Sequence, residues 1–208
     1  RQRQMCIRDS LDIKYFFYIG GNDSMDTIKK LSDYAIVTGS DIKFMGVPKT
    51  IDNDLAVTDH TPGFGSAAKF IAATMKEIIR DGLVYDYPTV TIVEIMGRNA
   101  GYLAVWCGIA NGAEDILIPE KYDYDEQKLI DNIVESRKKG KKHHIIVNAE
   151  GIGHSEAMAK RIEAATGIET RATILGHMQR GGSPTCKDRV YASMMGALAV
   201  DLLSLIHI

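Results

Sequence analysis

The stretch Pro48-Lys49-Thr50-Ile51-Asp52-Asn53-Asp54 crowds a cation, a hydroxyl and two carboxylates into the residues directly after an apolar run. Two readings of it stand. Asn and Asp hydrogen-bond their own backbone in turns, so the stretch fits an ordinary Asn- and Asp-rich turn. It fits equally a site of phosphoryl transfer, where a carboxylate takes the proton of an acceptor hydroxyl and a lysine neutralises charge on the moving phosphate. In that second reading Asp52 is the proton acceptor and Lys49 the neutralising cation.

Other polar stretches carry compatible chemistry. Gly20-Gly21-Asn22-Asp23-Ser24 follows the apolar run KYFFYI. Its glycines and small polar residues suit a loop shaped around phosphate, yet Asp23 places a negative charge where an anion would sit. In Met96-Gly97-Arg98-Asn99-Ala100-Gly101, the glycines let a ligand approach the backbone and open the next helix, whose first amides would face a bound anion. Arg98 adds a planar, two-pronged donor suited to phosphate, the plain alternative being an arginine in a solvated turn. Arg171 and His177 stand at opposite ends of a strand pattern, and His177 and Arg180 flank a short turn where together they could grip one phosphate group. Glu150 ends an apolar run and could accept hydrogen bonds from sugar hydroxyls, although a glutamate in such a place is common. The basic run RKKGKKHH reads as a solvated helix end whose charge complements the helix dipole. His143 and His144 are expected in that turn and the next strand, with no acidic or thiol partner at metal-ligand spacing.

The elements that must position these residues alternate regularly. Strands are expected at KYFFYIGG, KFMGVP, TVTIVEIMG, DILIP, HHIIVNAEG and TRATILG. Between and after them lie helical patterns: SMDTIKKLSDYA with Ser24 as N-cap, GSAAKFIAATMKEIIRDG, GYLAVWCGIANG, YDEQKLIDNIVESRKKGK with Asp123 and Glu126 at capping-box spacing, SEAMAKRIEAATG, and DRVYASMMGALAVDLL. Near-continuous apolar strands alternating with helices imply an α/β fold with a mainly parallel sheet covered on both faces. Ligands in such folds bind beyond the carboxyl ends of the strands, where five of these polar loops fall.

Composition sets the outer bounds. The chain has 208 residues, 45% hydrophobic and 25% charged, enough for one globular domain or two small lobes with a sizeable core. A net charge of -2, with both signs mixed along the chain, presents no basic face for nucleic acid or an acidic membrane. Small-molecule partners are expected instead. Three scattered cysteines, Cys6, Cys107 and Cys186, give neither a disulfide framework nor a zinc site, and point to a reducing cytoplasm. No apolar run reaches the roughly 18 residues needed to span a bilayer. RQRQMCIRDS at 1–10 and the end at 204–208 break the surrounding periodicity, so they are expected to be non-native flanks around a domain at 11–203.

In order and spacing, GGNDS, PKTIDND, MGRNAGYLA and LGHMQRGGSP resemble the phosphofructokinase family, from about Tyr15 to Leu203. The resemblance implies two similar three-layer α/β/α lobes, with N- and C-terminal parts missing here: an upstream glycine-rich phosphate loop and part of the sugar-binding lobe. It implies magnesium-dependent phosphorylation of the 1-hydroxyl of fructose 6-phosphate in glycolysis, by a homo-oligomer. Asp52 matches the family's proton acceptor, and Thr50, Ile51 and Asp52 its substrate-contacting loop. Met96, Gly97 and Arg98 match the segment that holds sugar phosphate, Glu150 a sugar contact, and Arg171, His177 and Arg180 the grip on the 6-phosphate. Arg171 is commonly supplied in the family from a neighbouring subunit.

The family divides by phosphoryl donor at two positions visible here. ATP-using members usually carry glycine in place of Asp23 and of Lys49, whereas pyrophosphate-using members resemble this chain at both. A carboxylate at Asp23 would crowd and repel a nucleotide's α-phosphate. The reading is therefore a pyrophosphate-dependent enzyme with Gly21, Asn22, Asp23, Ser24 and Lys49 as its donor loop; an ATP-dependent relative and a non-catalytic regulatory subunit are the alternatives. Magnesium ligands are expected at Asn22, Asp23 or Asp54, although many members have aspartate where Asn22 stands. Thr89 likewise replaces an arginine that in many members reaches a neighbouring subunit.

Overall fold

The computed structural model describes residues 12–121 and 124–205. The expected flank at 1–10 and Asp123, expected to begin a capping box, lie outside the described residues. The chain divides into two compact units, one formed by residues up to Thr50 together with those from Cys186 onward, the other by Ile51–Thr185.

The first unit is a parallel pair of strands carrying helices. β1 (Tyr15–Gly20) and β2 (Lys43–Pro48) run in register from Tyr15 beside Lys43 to Gly20 beside Pro48. α1 (Asn22–Thr38) connects them and buries Ile28 and Ala35. It lies so close to β2 that a Cβ on Gly46 would stand 2.9 Å from Met25 Sδ. Glycine is needed there for space rather than for conformation. α6 (Cys186–Leu205) packs on β2, and its last turn includes Ser204 and Leu205, which were expected to lie beyond the helix. Ser24 does not cap α1 either. Gly21 is the N-cap, and Ser24 sits in the first turn with its Oγ where a Cβ on Gly20 would otherwise go.

The second unit is a three-layer sandwich. It contains α2 (Phe64–Gly82), β3 (Thr89–Ile95), α3 (Tyr102–Asn111), β4 (Asp115–Leu117), α4 (Glu126–Lys138), β5 (His143–Ala149), α5 (Ser155–Thr166), β6 (Glu169–Ile174) and a 3-10 turn at Gly176–Arg180. The four strands pair in parallel in the order β4-β5-β3-β6. The period of two along β3 and β5 sends alternate residues to opposite faces. Val93, Ile95, Ile145, Val147 and Ala149 meet Phe64, Ile71 and Met75 of α2 and Leu103, Ala104 and Cys107 of α3. Val90, Ile92 and Ile146 meet Leu129 and Ile133 of α4 and Met158, Ala159 and Ile162 of α5. Both faces are covered, which is why these strands read as continuous apolar runs.

Local signals explain most boundaries. Asp125, two residues beyond the expected cap, accepts hydrogen bonds from the backbone N–H groups of Gln127 and Lys128 and so starts α4. The left-handed glycines Gly39, Gly112 and Gly167 end α1, α3 and α5. His143 and His144 both lie in β5, and His144 has an acidic partner after all, Asp115 of β4, 2.7 Å from its Nε2. Among the described residues no helix is long and apolar enough to cross a membrane.

Replacing the fully buried Ile92 by alanine is expected to lower the unfolding free energy by about 2–5 kcal/mol in chemical denaturation. A loss below about 0.5 kcal/mol, the size of a surface change, would contradict a buried β3. Cys107 is buried, and desolvation pushes its thiol up to about 12, whereas Cys186 is exposed. A thiol-specific reagent near neutral pH should therefore modify Cys186 in the native protein and leave Cys107 intact until denaturant is added; peptide mass mapping reads both.

Candidate functional site

In the first unit the two segments proposed to face the phosphoryl donor are brought side by side. β1 and β2 are adjacent and parallel, so GGNDS and Lys49-Thr50 leave the sheet at the same edge. The Lys49 N–H donates to Gly20 O at 2.8 Å, extending the ladder one residue past β2. A Cβ on Gly21 would lie 3.5 Å from Lys49 O and 3.8 Å from Thr50 Cβ, ordinary contact distances that show how closely the two segments pass. Asn22, Asp23 and Ser24 form the first turn of α1, with the Ser24 and Met25 N–H groups donating to Gly21 O. Asp23 is exposed in the first turn of α1. Lys49 is exposed as well.

In the second unit the strand order decides which loops meet. β3 lies between β5 and β6, so the loop Met96-Gly97-Arg98 has a neighbour on each side. From β5, Glu150 Oε1 accepts a hydrogen bond from the Arg98 N–H at 2.5 Å. From the β6 side, Gln179 Oε1 accepts one from the Met96 N–H at 3.0 Å. Gly97 and Arg98 have φ of 149° and 54°, and a Cβ on Gly97 would come within 2.3 Å of Ala100 O. Arginine in the left-handed region is unfavourable by about 1–2 kcal/mol, so these flanking acceptors hold a conformation the loop would not adopt alone. Arg98, His177 and Arg180 are exposed near these strand ends, and Glu150 is half-buried with one carboxylate oxygen already engaged.

One expectation about this edge changes, and the separation of Arg171 from His177 along the strand stands. The first N–H of α3 does not wait for a ligand: Gly101 N donates to Glu120 Oε1 at 2.7 Å, so the chain's own carboxylate holds the helix N-terminus. Arg171 is not with His177 and Arg180. It lies in the first half of β6, beside Thr91 of β3, where its guanidinium pairs with Glu169 and lies 5.3 Å from the centre of the Tyr85 ring. The hydrogen bond to Arg171 holds the Glu169 carboxyl below its usual range, and Glu169 raises Arg171 in return. Thr89, at the start of β3, is buried and shares a 2.9 Å hydrogen bond with His143 Nδ1.

Ile51, Asp52 and Asp54 open the loop from the boundary residue to α2, with Ile51 packed against the core under that helix. The residue between the two aspartates organises it. Asn53 has φ of 57° and is buried; its Oδ1 accepts from the Thr61 N–H at 2.8 Å and its Nδ2 donates to Asp59 O at 3.2 Å. Among the described residues no group of three or more His, Cys, Asp or Glu side chains is placed to hold a metal by itself.

Sequence reasoning missed Asn53, Gln179 and Glu120. Asn53 had a signal, since asparagine tolerates the left-handed region and bonds nearby backbone in turns. Gln179 and Glu120 had none, because their partners are remote in sequence and are set by strand order.

A parallel sheet covered by helices on both faces, with polar and glycine-containing loops at its strand ends, defines a class of α/β proteins whose ligands bind beyond the carboxyl ends of the strands. The family model described as phosphofructokinase matches residues 1–203, so the chain belongs to the phosphofructokinase family. Over 203 residues it is 47% identical to ATP-dependent 6-phosphofructokinase 1 of Clostridium perfringens, covering 98% of this chain and 61% of that protein. An ATP-dependent 6-phosphofructokinase of Clostridium botulinum is 44% identical with the same coverage, so the chain spans less than two thirds of these relatives. Among solved structures, pyrophosphate-dependent phosphofructokinase of Marinobacter aquaeolei superimposes with a TM-score of 0.84 at 33% identity, over 98% of this chain and 55% of that one. The yeast (Saccharomyces cerevisiae) phosphofructokinase gives 0.78 at 28% identity, over 93% and 29% respectively.

Substituting Asn53 by glycine keeps a residue able to adopt positive φ and removes both side-chain bonds. Hydrogen exchange at the Thr61 amide should accelerate about tenfold or more, the equivalent of one lost buried hydrogen bond. Unchanged protection at Thr61 would remove Asn53 as the organiser of the Asp52 loop.

Proposed function

We propose that the chain is part of a 6-phosphofructokinase that transfers a phosphoryl group to the 1-hydroxyl of fructose 6-phosphate. The observation that carries the proposal is the meeting, at neighbouring strand ends, of the Arg98 loop, Glu150 and the His177–Arg180 turn. Arginine and histidine donors suit the sugar phosphate, and the free oxygen capacity of Glu150 suits a hydroxyl. Asp52 takes the proton of the 1-hydroxyl as its oxygen bonds to the donor's terminal phosphorus and the bond to the bridging oxygen breaks. Lys49 and Arg98 neutralise the charge carried by the transferring group and by the phosphate that leaves. Thr50, Ile51, Met96 and Gly97 line the sugar.

Magnesium, when bound, would draw charge from the donor phosphates. The hard oxygens of Asn22, Asp23 or Asp54 would hold it. Arg171 stands away from the strand ends that hold His177 and Arg180, which supports its service to a second copy of the chain in a homo-oligomer.

Similarity to proteins named ATP-dependent, at 47% and 44% identity, favours ATP as donor over the pyrophosphate reading drawn from the sequence. One observation keeps pyrophosphate as the second reading. Asp23 and Lys49 both lie at the carboxyl edge of the β1–β2 pair, with Lys49 N–H bonded to Gly20 O, so a carboxylate and an ammonium group flank the donor loop. A shared named fold with a pyrophosphate-dependent enzyme at 33% identity is compatible with either donor.

Coupled assays of the full-length protein with fructose 6-phosphate, magnesium and each donor in turn decide the question. ATP turnover alone establishes the first reading, and pyrophosphate turnover alone the second. Binding of fructose 6-phosphate without turnover on either would instead identify a regulatory subunit. Changing Asp52 to serine should lower kcat by about 10²–10⁴-fold with little effect on sugar binding. Undiminished turnover would exclude Asp52 as the base.

A further inference from the structure

The backbone ladder between β3 and β6 ends where the Leu175 N–H donates to Glu94 O at 3.3 Å, after which the two chains part. One side chain continues it. Gln179 is 1% exposed, and its Oε1 accepts from the Met96 N–H at 3.0 Å while its Nε2 donates to Gly176 O at 2.9 Å. Its amide thus stands where a backbone rung would have stood, and joins the first residue of the Arg98 loop to the first residue of the turn that presents His177 and Arg180.

We propose that Gln179 is a positioning residue that fixes the separation between Arg98 and the His177–Arg180 pair, and so sets affinity for the sugar phosphate. It rests on the phosphofructokinase reading only in naming the ligand. Gln179 itself is buried and touches no ligand. Both neighbours of the joined loops are conformationally demanding: Arg98 has φ of 54° and Gly176 φ of 58°. Neither segment holds its place through regular structure, since Met96 lies beyond β3 and the turn is a single 3-10 element. A polar group this deeply buried with both ends bonded is selective about distance, because lengthening either bond leaves a buried donor or acceptor unsatisfied.

The test compares Gln179→Met, similar in shape and without polar ends, with Gln179→Glu, whose carboxyl group, kept protonated by burial, retains an acceptor for the Met96 N–H and a donor for Gly176 O. Both are made in the full-length protein. The dissociation constant for fructose 6-phosphate is measured by calorimetry, and KM and kcat are measured with the donor that supports turnover. Gln179→Met should raise the dissociation constant and KM by about 10–100-fold, the scale of a misplacement near 1 Å, and should lower kcat as well, because Arg98 also serves the transferring group. Gln179→Glu should recover most of the lost affinity. Sugar affinity within twofold of wild type in Gln179→Met overturns the inference, as does a Gln179→Glu protein no better than the methionine variant. If Gln179→Met does not fold, Gln179→Glu decides alone: sugar affinity within about threefold of wild type supports the role, and a larger loss overturns it. A wild type that binds the sugar without turnover rejects the kinase reading while the affinities still judge Gln179; one that neither binds nor turns over rejects both.

Discussion

The hydrogen bonds on the two amides of the Met96–Arg98 loop are the constraint around which the second unit is organised. A central parallel strand ends in a loop with two consecutive residues at positive φ, one of them arginine. Such a loop is higher in energy than a regular turn, and its shape persists because its donors are met from both sides, by Glu150 and by Gln179. Those acceptors are in reach only because β3 pairs with both β5 and β6. The sheet order in turn depends on the two apolar clusters that clamp β3 and β5 between helix pairs. Packing, pairing and the placement of Arg98 are successive consequences of the same alternation of side chains.

A comparable polar device sits beneath the next loop. Asn148 is fully buried in β5, and its Nδ2 donates to Gly153 O and Ser155 Oγ, while the Ser155 hydroxyl donates to Glu94 of β3. The segment from Glu150 to the start of α5 is thereby tied back to both central strands. His154, with φ of 57°, forms the sharp entry to that helix. A loop that carries a half-buried carboxylate is thus held by a chain of hydrogen bonds that runs from an amide through a hydroxyl to the Glu94 carboxylate.

Much of this was legible in the chain. The apolar runs of β2, β3 and β5 and the glycine stops of α3 and α5 follow from period and turn chemistry, and each was found within a few residues. The four ordered motifs pointed to the family that the match over residues 1–203 shows. What was not legible depends on which strands become neighbours. Asp115 as the partner of His144, Glu120 at the start of α3 and Gln179 beside Met96 are 29, 19 and 83 residues from their partners. No local pattern encodes those separations. Ser24 and Asp123 were taken as caps because their residue types suit the task, but Gly21 and Asp125 occupy the positions where the chain turns into α1 and α4. The donor remained open for a different reason: two side chains argue one way, and the relatives of highest identity described above are named for the other.

Glu120 gives the α3 terminus a meaning beyond capping. Backbone dipoles are rigid and desolvated, and a phosphate seated on them is attracted by groups that neither move nor meet the surrounding ions. Here one donor at that terminus is already taken up within the chain, since the Gly101 N–H is bonded to Glu120. Arg98 and Arg180, exposed at this edge, add solvent-facing positive charge to what the remaining amides supply. Charges of that kind are screened over about 8 Å at physiological ionic strength. For the anion binding proposed above, part of the attraction then depends on the saltiness of the medium, in a way that a helix-dipole cradle alone would not.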